Sequence, residues 1–226
     1  MNESLIDWVK GTFGVAGLIL IIVGVALYRM SKDLASLNTR VSYQLNRDLL
    51  GRRISAYRSL WACMSELAIH SSLHFDATET SDLEEALSRW YFRRAGGLML
   101  THAARSYYFG LQNALRAAAK HSGWTCENRP SELREPFIVL LRDWARDDDK
   151  AQRCLKKFED EEPERMDPKD WTSTCTLISG KLEALAASGD PNAGAVIYCA
   201  LQQISSALRS KMTQEVRSRL DVMLPG

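Results

Sequence analysis

The feature that most limits what this chain can fold into is the run Gly11–Tyr28, GTFGVAGLILIIVGVALY, which holds no charged residue and is bounded by Lys10 and Arg29. At about 1.5 Å per residue, a helix over this run is roughly 27 Å long, close to the roughly 30 Å hydrocarbon thickness of a bilayer. In hydrocarbon a lone segment satisfies its own backbone only as a helix. Trp8 and Tyr28 stand at its edges, where aromatic rings favour the headgroup level. A helix buried in a soluble core would keep a polar face, and none is present. A secretory signal opens on a basic segment, whereas Glu3 and Asp7 accompany Lys10 here. The run therefore reads as one transmembrane helix over residues 11–28.

The flanks orient it. Residues 1–10 carry Glu3, Asp7 and Lys10, whereas Arg29, Lys32, Arg40, Arg47, Arg52, Arg53 and Arg58 follow the run against only Asp33 and Asp48. Lys and Arg bias the cytoplasmic side. The reading is a short extracytoplasmic N-terminus over 1–10, a juxtamembrane helical stalk over 29–51 and a cytoplasmic body over 52–226. Gly14, Gly17 and Gly24 fall within about 80° of one another on a helical wheel. Such a small-residue stripe is a candidate packing face between two spanning helices.

About 198 residues remain after the run, enough for a core of useful size. The formal net charge is +1, so no global field argues for nucleic acid. Five cysteines, Cys63, Cys126, Cys154, Cys175 and Cys199, are scattered without a CxxC pair. An odd number of isolated thiols fits a reducing compartment and apolar packing roles.

The body reads as helices. Leu34, Leu37, Val41, Leu45 and Leu49, then Tyr57, Leu60 or Trp61, Met64 and Leu67, recur every three to four residues, which predicts one helix from Ser31 to about Ser72. Its first half suits a stalk leaving the membrane or a short coiled coil, with too few heptads to define a coiled coil. Ser71–Thr80 reads as a loop, and Ser81-Asp82-Leu83-Glu84 matches a capping box opening a helix to Arg94. Thr101 caps a helix to about His121, and Gly123 stops it. Pro136 opens a helix to about Asp160, and Asp167-Pro168 and Asp190-Pro191 open two more. No segment alternates as a strand does. The expectation is an all-α protein whose cytoplasmic helical bundle has about five to six antiparallel helices.

Three patches are familiar together: Tyr57, Leu60 and Trp61; Trp90-Tyr91-Phe92 with Gly96-Gly97, Met99-Leu100-Thr101, Arg105 and Leu111; and Ser206-Ala207-Leu208-Arg209 with Met212-Thr213. This pattern resembles a loose group of uncharacterised bacterial single-pass membrane proteins with a cytoplasmic helical domain. Where those sequences often carry Asp and Gly near the end, Glu215 and Arg217 stand here. The resemblance implies location in a bacterial inner membrane and a topology, with no activity attached.

For chemistry, Trp90–Arg105 is the sharpest stretch. Gly96-Gly97 frees backbone N–H groups to point at a ligand, and Thr101 opens a helix whose positive end favours anions. Arg93, Arg94 and Arg105 add charge, and Trp90, Tyr91 and Tyr108 can stack on a ring. The candidate ligand-binding residues are Trp90, Tyr91, Arg94, Gly96, Gly97 and Arg105. The alternative for this stretch is a helix corner with aromatic rings in the core and arginines in solvent. His70 and His74 with Asp76 have one-face spacing but lack a third ligand unless His102 approaches. No metal site, cofactor or catalytic motif is read. The acid runs Asp147-Asp148-Asp149 and Glu161-Glu162 read as solvated charge.

The expected function is a membrane-anchored helical interaction module, a scaffold, adaptor or sensor subunit. Its partners would be the lipid bilayer and a protein, self included, without nucleic acid. The alternative is an effector whose body binds a small anionic signal and repacks its spanning helices. An enzyme is the third choice.

Overall fold

The computed structural model describes residues 3–68, 74–127, 142, 146, 149–160 and 163–223; the side chains of 3–22, 24, 26, 35, 38, 39, 150, 155, 157–160, 164 and 221–223 lie outside that description. The chain divides into two compact units, Met1–Gly51 and Arg52–Gly226.

The first unit is helical backbone belonging to α1, Glu3–Cys63. The side chains described between Val23 and Leu49 are exposed. Among the described residues no helix is long and apolar enough to cross a membrane. Most of the apolar run, with Gly14, Gly17 and Gly24, has its side chains outside the described set.

In the second unit α1 ends earlier than its periodicity suggests, at Cys63, followed by a 3₁₀ turn over Ser65–Leu67. Helix ends leave carbonyls without partners. Here Met64 O accepts from Leu67 N, and side chains from the last helix add further donors to the carbonyls of this turn. Arg209 donates to Met64 O and Leu67 O, each at 3.4 Å, and Tyr198 donates to Glu66 O at 3.0 Å. Residue 68 then turns to extended backbone.

The second helix, α2, spans Ala77–Arg93. The capping box expected at Ser81–Glu84 is instead formed by Asp76 and Glu79. Asp76 accepts from Thr78 N (2.7 Å) and Glu79 N (2.9 Å), and the Glu79 carboxylate accepts from Asp76 N (3.2 Å). Either pair has the right spacing. Asp76 prevails because Phe75 and Asp76 form a two-residue strand, β1, that holds the entry extended. Its antiparallel partner is β2, Thr125–Cys126, with Phe75 opposite Cys126. This short ladder is the one departure, among the described residues, from the expected absence of strands.

The remaining helices are α3 (Gly96–Met99), α4 (His102–Ala119), α5 (Asp149–Asp160), α6 (Pro168–Ala187) and α7 (Ala193–Met223). Thr101 caps α4 through Ala104 N (3.1 Å), and Asp167 caps α6 through Lys169 N (2.8 Å), as the sequence indicates. Of the single helix expected from Pro136 to about Asp160, the described residues show α5, from Asp149, with a turn at Arg146 before it; most of 136–148 lies outside the described residues.

Helix α4 is central and packs on α2, α6 and α7. Its Tyr107 ring stacks on Trp171 of α6 at 4.3 Å and 9°, beside Gly110. The buried faces are those the periodicity marks: Leu111 and Leu115 on α4, Trp171, Cys175, Ile178 and Leu182 on α6, and Ile197, Leu201, Ile204, Leu208 and Met212 on α7. Burying a large side chain of this kind stabilises by roughly 1.5–3 kcal/mol, so these stripes supply the main driving force.

Candidate functional site

The stretch singled out from the sequence forms the corner between α2 and α4. Ala95 takes a left-handed conformation (φ 54°) and turns the chain into the single helical turn α3. The turn brings the backbone against the side chains before it. A Cβ on Gly96 would lie 2.5 Å from the Trp90 ring, and one on Gly97 would lie 2.5 Å from the Tyr91 ring. Glycine is required because rings of this chain fill the space above both backbones. Both glycines, read from the sequence as a ligand cradle, are buried in the corner.

Trp90 is buried and donates from Nε1 to Ser59 Oγ at 2.7 Å, which ties the corner to α1. Tyr91 stacks on Tyr108 at 5.0 Å, and the Tyr108 hydroxyl donates to Leu87 O at 2.9 Å. Burial raises the Tyr108 pKa, assisted by the negative charge of Glu84. Arg105 reaches back from α4, with a long Nη2 contact to Gly97 O (3.4 Å) and a buried Nε that has no partner among the described residues.

The open part of the corner is on the far side of Trp90. A cleft of about 410 Å³ is lined by Cys63, Ala86, Arg89, Trp90, Arg93 and Arg94. Arg89 meets Glu85 at 3.5 Å, and both side chains are more than half exposed. Among the described residues no carboxylate pairs with Arg93 or Arg94. Three guanidiniums over an apolar floor suit an anionic group, since each offers several N–H donors in a plane. Trp90 and Arg94 therefore line one cleft, whereas Tyr91, Gly96, Gly97 and Arg105 pack behind it.

A second cluster escaped the sequence reading. Tyr57 donates to Glu215 Oε2 at 2.7 Å, Thr101 Oγ1 donates to Glu215 Oε1, and Arg53 Nε donates to Met99 O at 2.9 Å. The signal was present: Glu215 follows Met212 by three residues on the buried stripe of α7, where a carboxylate needs partners.

His70 lies outside the described residues. His74 approaches only Asp76, at 3.5 Å, and no group of three metal-ligating side chains occurs among the described residues. No protein-family model matches the chain, and neither a curated protein nor a solved structure is significantly similar to it.

Proposed function

We propose that the protein is a membrane-anchored helical interaction module that associates through α1 with a second copy of itself. The carrying observation is a stripe on α1. Leu27, Met30, Leu34, Leu37 and Val41 are each between 54% and 64% exposed and recur at alternating three- and four-residue steps. Over two heptads that repeat has the a/d spacing of a two-stranded coiled coil, and a continuous apolar line is costly to leave in water. The uncharged run Gly11–Tyr28 supports a single-pass anchor continuous with this helix. The basic residues after it support an N-terminus outside and a cytoplasmic body, and the resemblance supports a bacterial inner membrane.

Disulfide trapping in membranes tests the association, in a chain whose Cys63 and Cys154 are serine. Leu34→Cys and Leu37→Cys should give dimers on oxidation, and Lys32→Cys, on the opposite face, should not. Equal trapping at all three positions, or none, defeats the reading. A C-terminal reporter active only in the cytosol tests the orientation.

The arginine cleft favours a second reading, an effector that senses a small anion. Phosphate or a nucleotide should then raise the melting temperature of the native chain but not of the Arg93→Ala, Arg94→Ala double variant. Leucine at Gly14, Gly17 and Gly24 should abolish the response of an effector and leave a scaffold intact.

A further inference from the structure

A different surface, between the end of α1 and α7, carries two adjoining depressions. The first, about 450 Å³, is lined by Trp61, Arg165, Ser206, Arg209, Ser210, Thr213, Gln214 and Arg217. The second, about 290 Å³, continues from it past Trp61, Thr213 and Arg217, and its further wall is Ile54, Tyr57, Arg58, Met212 and Val216. One lobe is lined by three arginines, hydroxyls and an amide. The other is mostly apolar. Together they fall within the size range of small-molecule pockets, about 300–1,000 Å³.

Arg209 is the telling residue. It is 9% exposed, and among the described residues no carboxylate neutralises it. Its hydrogen bonds there are two long ones to the carbonyls of Met64 and Leu67 at the end of α1. The carbonyl end of a helix carries partial negative charge and compensates a cation in part. A guanidinium has five N–H donors, so these bonds leave donors for a further acceptor. Arg165 and Arg217 line the same depression, so further guanidiniums lie within reach of a group held beside Arg209. The Thr213 hydroxyl is committed to Arg209 O at 2.9 Å, while the hydroxyls of Ser206 and Ser210 and the amide of Gln214 add neutral donors, so the lobe offers more donors than a two-oxygen carboxylate can use. A phosphate offers more acceptor oxygens.

Trp61 stands where the lobes meet. It is 47% exposed, an unusual position for so large an apolar ring unless it covers something. It was part of the Tyr57–Leu60–Trp61 patch noted in the sequence, and Ser206, Arg209 and Thr213 belong to the late patch. Folding brings the two patches to one place.

We propose that this groove binds a phosphate monoester with an apolar body, the phosphate between Arg209, Arg165 and Arg217 and the body against Trp61, Ile54, Met212 and Val216. A short-chain phospholipid and a nucleoside monophosphate share that chemistry.

Titration calorimetry on the full chain in detergent micelles separates them, with dihexanoyl phosphatidic acid, adenosine monophosphate and inorganic phosphate as probes. At least one ester should bind saturably and at least tenfold more tightly than inorganic phosphate; whichever ester binds identifies the body. Arg217→Ala should weaken that ester at least tenfold, and Arg217→Lys should weaken it less. Trp61→Ala should weaken the ester while leaving inorganic phosphate unchanged. Both substitutions are at exposed positions, and an unchanged melting temperature without ligand confirms that the fold is kept. Absence of saturable binding by either ester overturns the proposal, as does ester affinity unchanged in both the Arg217→Ala and Trp61→Ala variants.

Discussion

The Tyr57 hydroxyl and the Glu215 carboxylate meet at 2.7 Å across 158 residues of chain, joining α1 to α7. Thr101, the cap of α4, holds the other carboxylate oxygen. One acid therefore ties three helices. Burial, with the hydrogen bond and charge of Glu215, pushes the Tyr57 hydroxyl above the usual tyrosine range, so it remains the donor.

Tyr57→Phe keeps the ring and removes that donor. Leaving a carboxylate short of a partner costs about 1–3 kcal/mol, and denaturant unfolding of the full chain in micelles should show a loss of that order. The loss in the Tyr57→Phe, Glu215→Gln double variant should differ from the sum of the two single losses by at least about 0.5 kcal/mol, the mark of groups in contact. Strict additivity would mean that the bond contributes nothing.

The α2 entry makes a pH prediction. The backbone N–H of Glu79 holds the Asp76 carboxyl below its ordinary value, helped by Thr78 N–H and by His74. A depressed folded-state value means that the ion stabilises the fold. That contribution is fully present above the unfolded value of about 3.9 and is lost as pH falls through the lower folded value. Asp76→Ala should cost about 1 kcal/mol at neutral pH, as loss of an N-cap does. Wild type should lose its advantage over Asp76→Asn only below the ordinary carboxyl value, as pH falls through the lowered folded one. A constant gap between those two across the range would refute the assignment.

Gly110 sits where α4 crosses α6. A Cβ there would lie 2.7 Å from Cys175 Sγ and 2.8 Å from Trp171 Nε1. Replacing a mid-helix glycine by alanine ordinarily gains about 0.5–1 kcal/mol. Here Gly110→Ala should lower the melting temperature instead, and Gly110→Val should cost about 1–3 kcal/mol by overpacking. Cys175→Ala should restore part of the loss. A more stable Gly110→Ala protein would show that the helices have room to separate.

Five free thiols differ in access. Cys126, Cys175 and Cys199 are buried, whereas Cys63 and Cys154 are half-buried. Burial also raises the Cys175 thiol pKa, which suppresses the reactive thiolate. Brief treatment with a maleimide should label Cys63 and Cys154 in the native chain and all five only after denaturation. An anion in the arginine cleft should slow labelling of Cys63, which lines it. Rapid labelling of Cys175 in native protein would contradict the packing of α6.

The helical stripes were legible because each is a local repeat: one buried residue every three or four positions is written in consecutive sequence. The caps Thr101 and Asp167 were legible for the same reason. Asp76 was missed in favour of Ser81 because both pairs satisfy the same local rule, and the deciding contact, Phe75 opposite Cys126, comes from a distant segment. Gly96 and Gly97 look alike whether a ligand or a ring lies over them. Only the fold shows Trp90 and Tyr91 in that space.

The sequence by itself determined the helical class of the body, the buried faces of α4, α6 and α7, and the apolar, base-flanked character of residues 11–28. Those are properties of periodicity and composition, which need no neighbour. The tertiary structure decided which charges are compensated: Glu215 by Tyr57 and Thr101, Arg209 in part by the carbonyls of Met64 and Leu67 just past α1, while Arg93 and Arg94 face an open cleft. A charge draws its worth from the groups around it in space, and chain order places those groups only after folding.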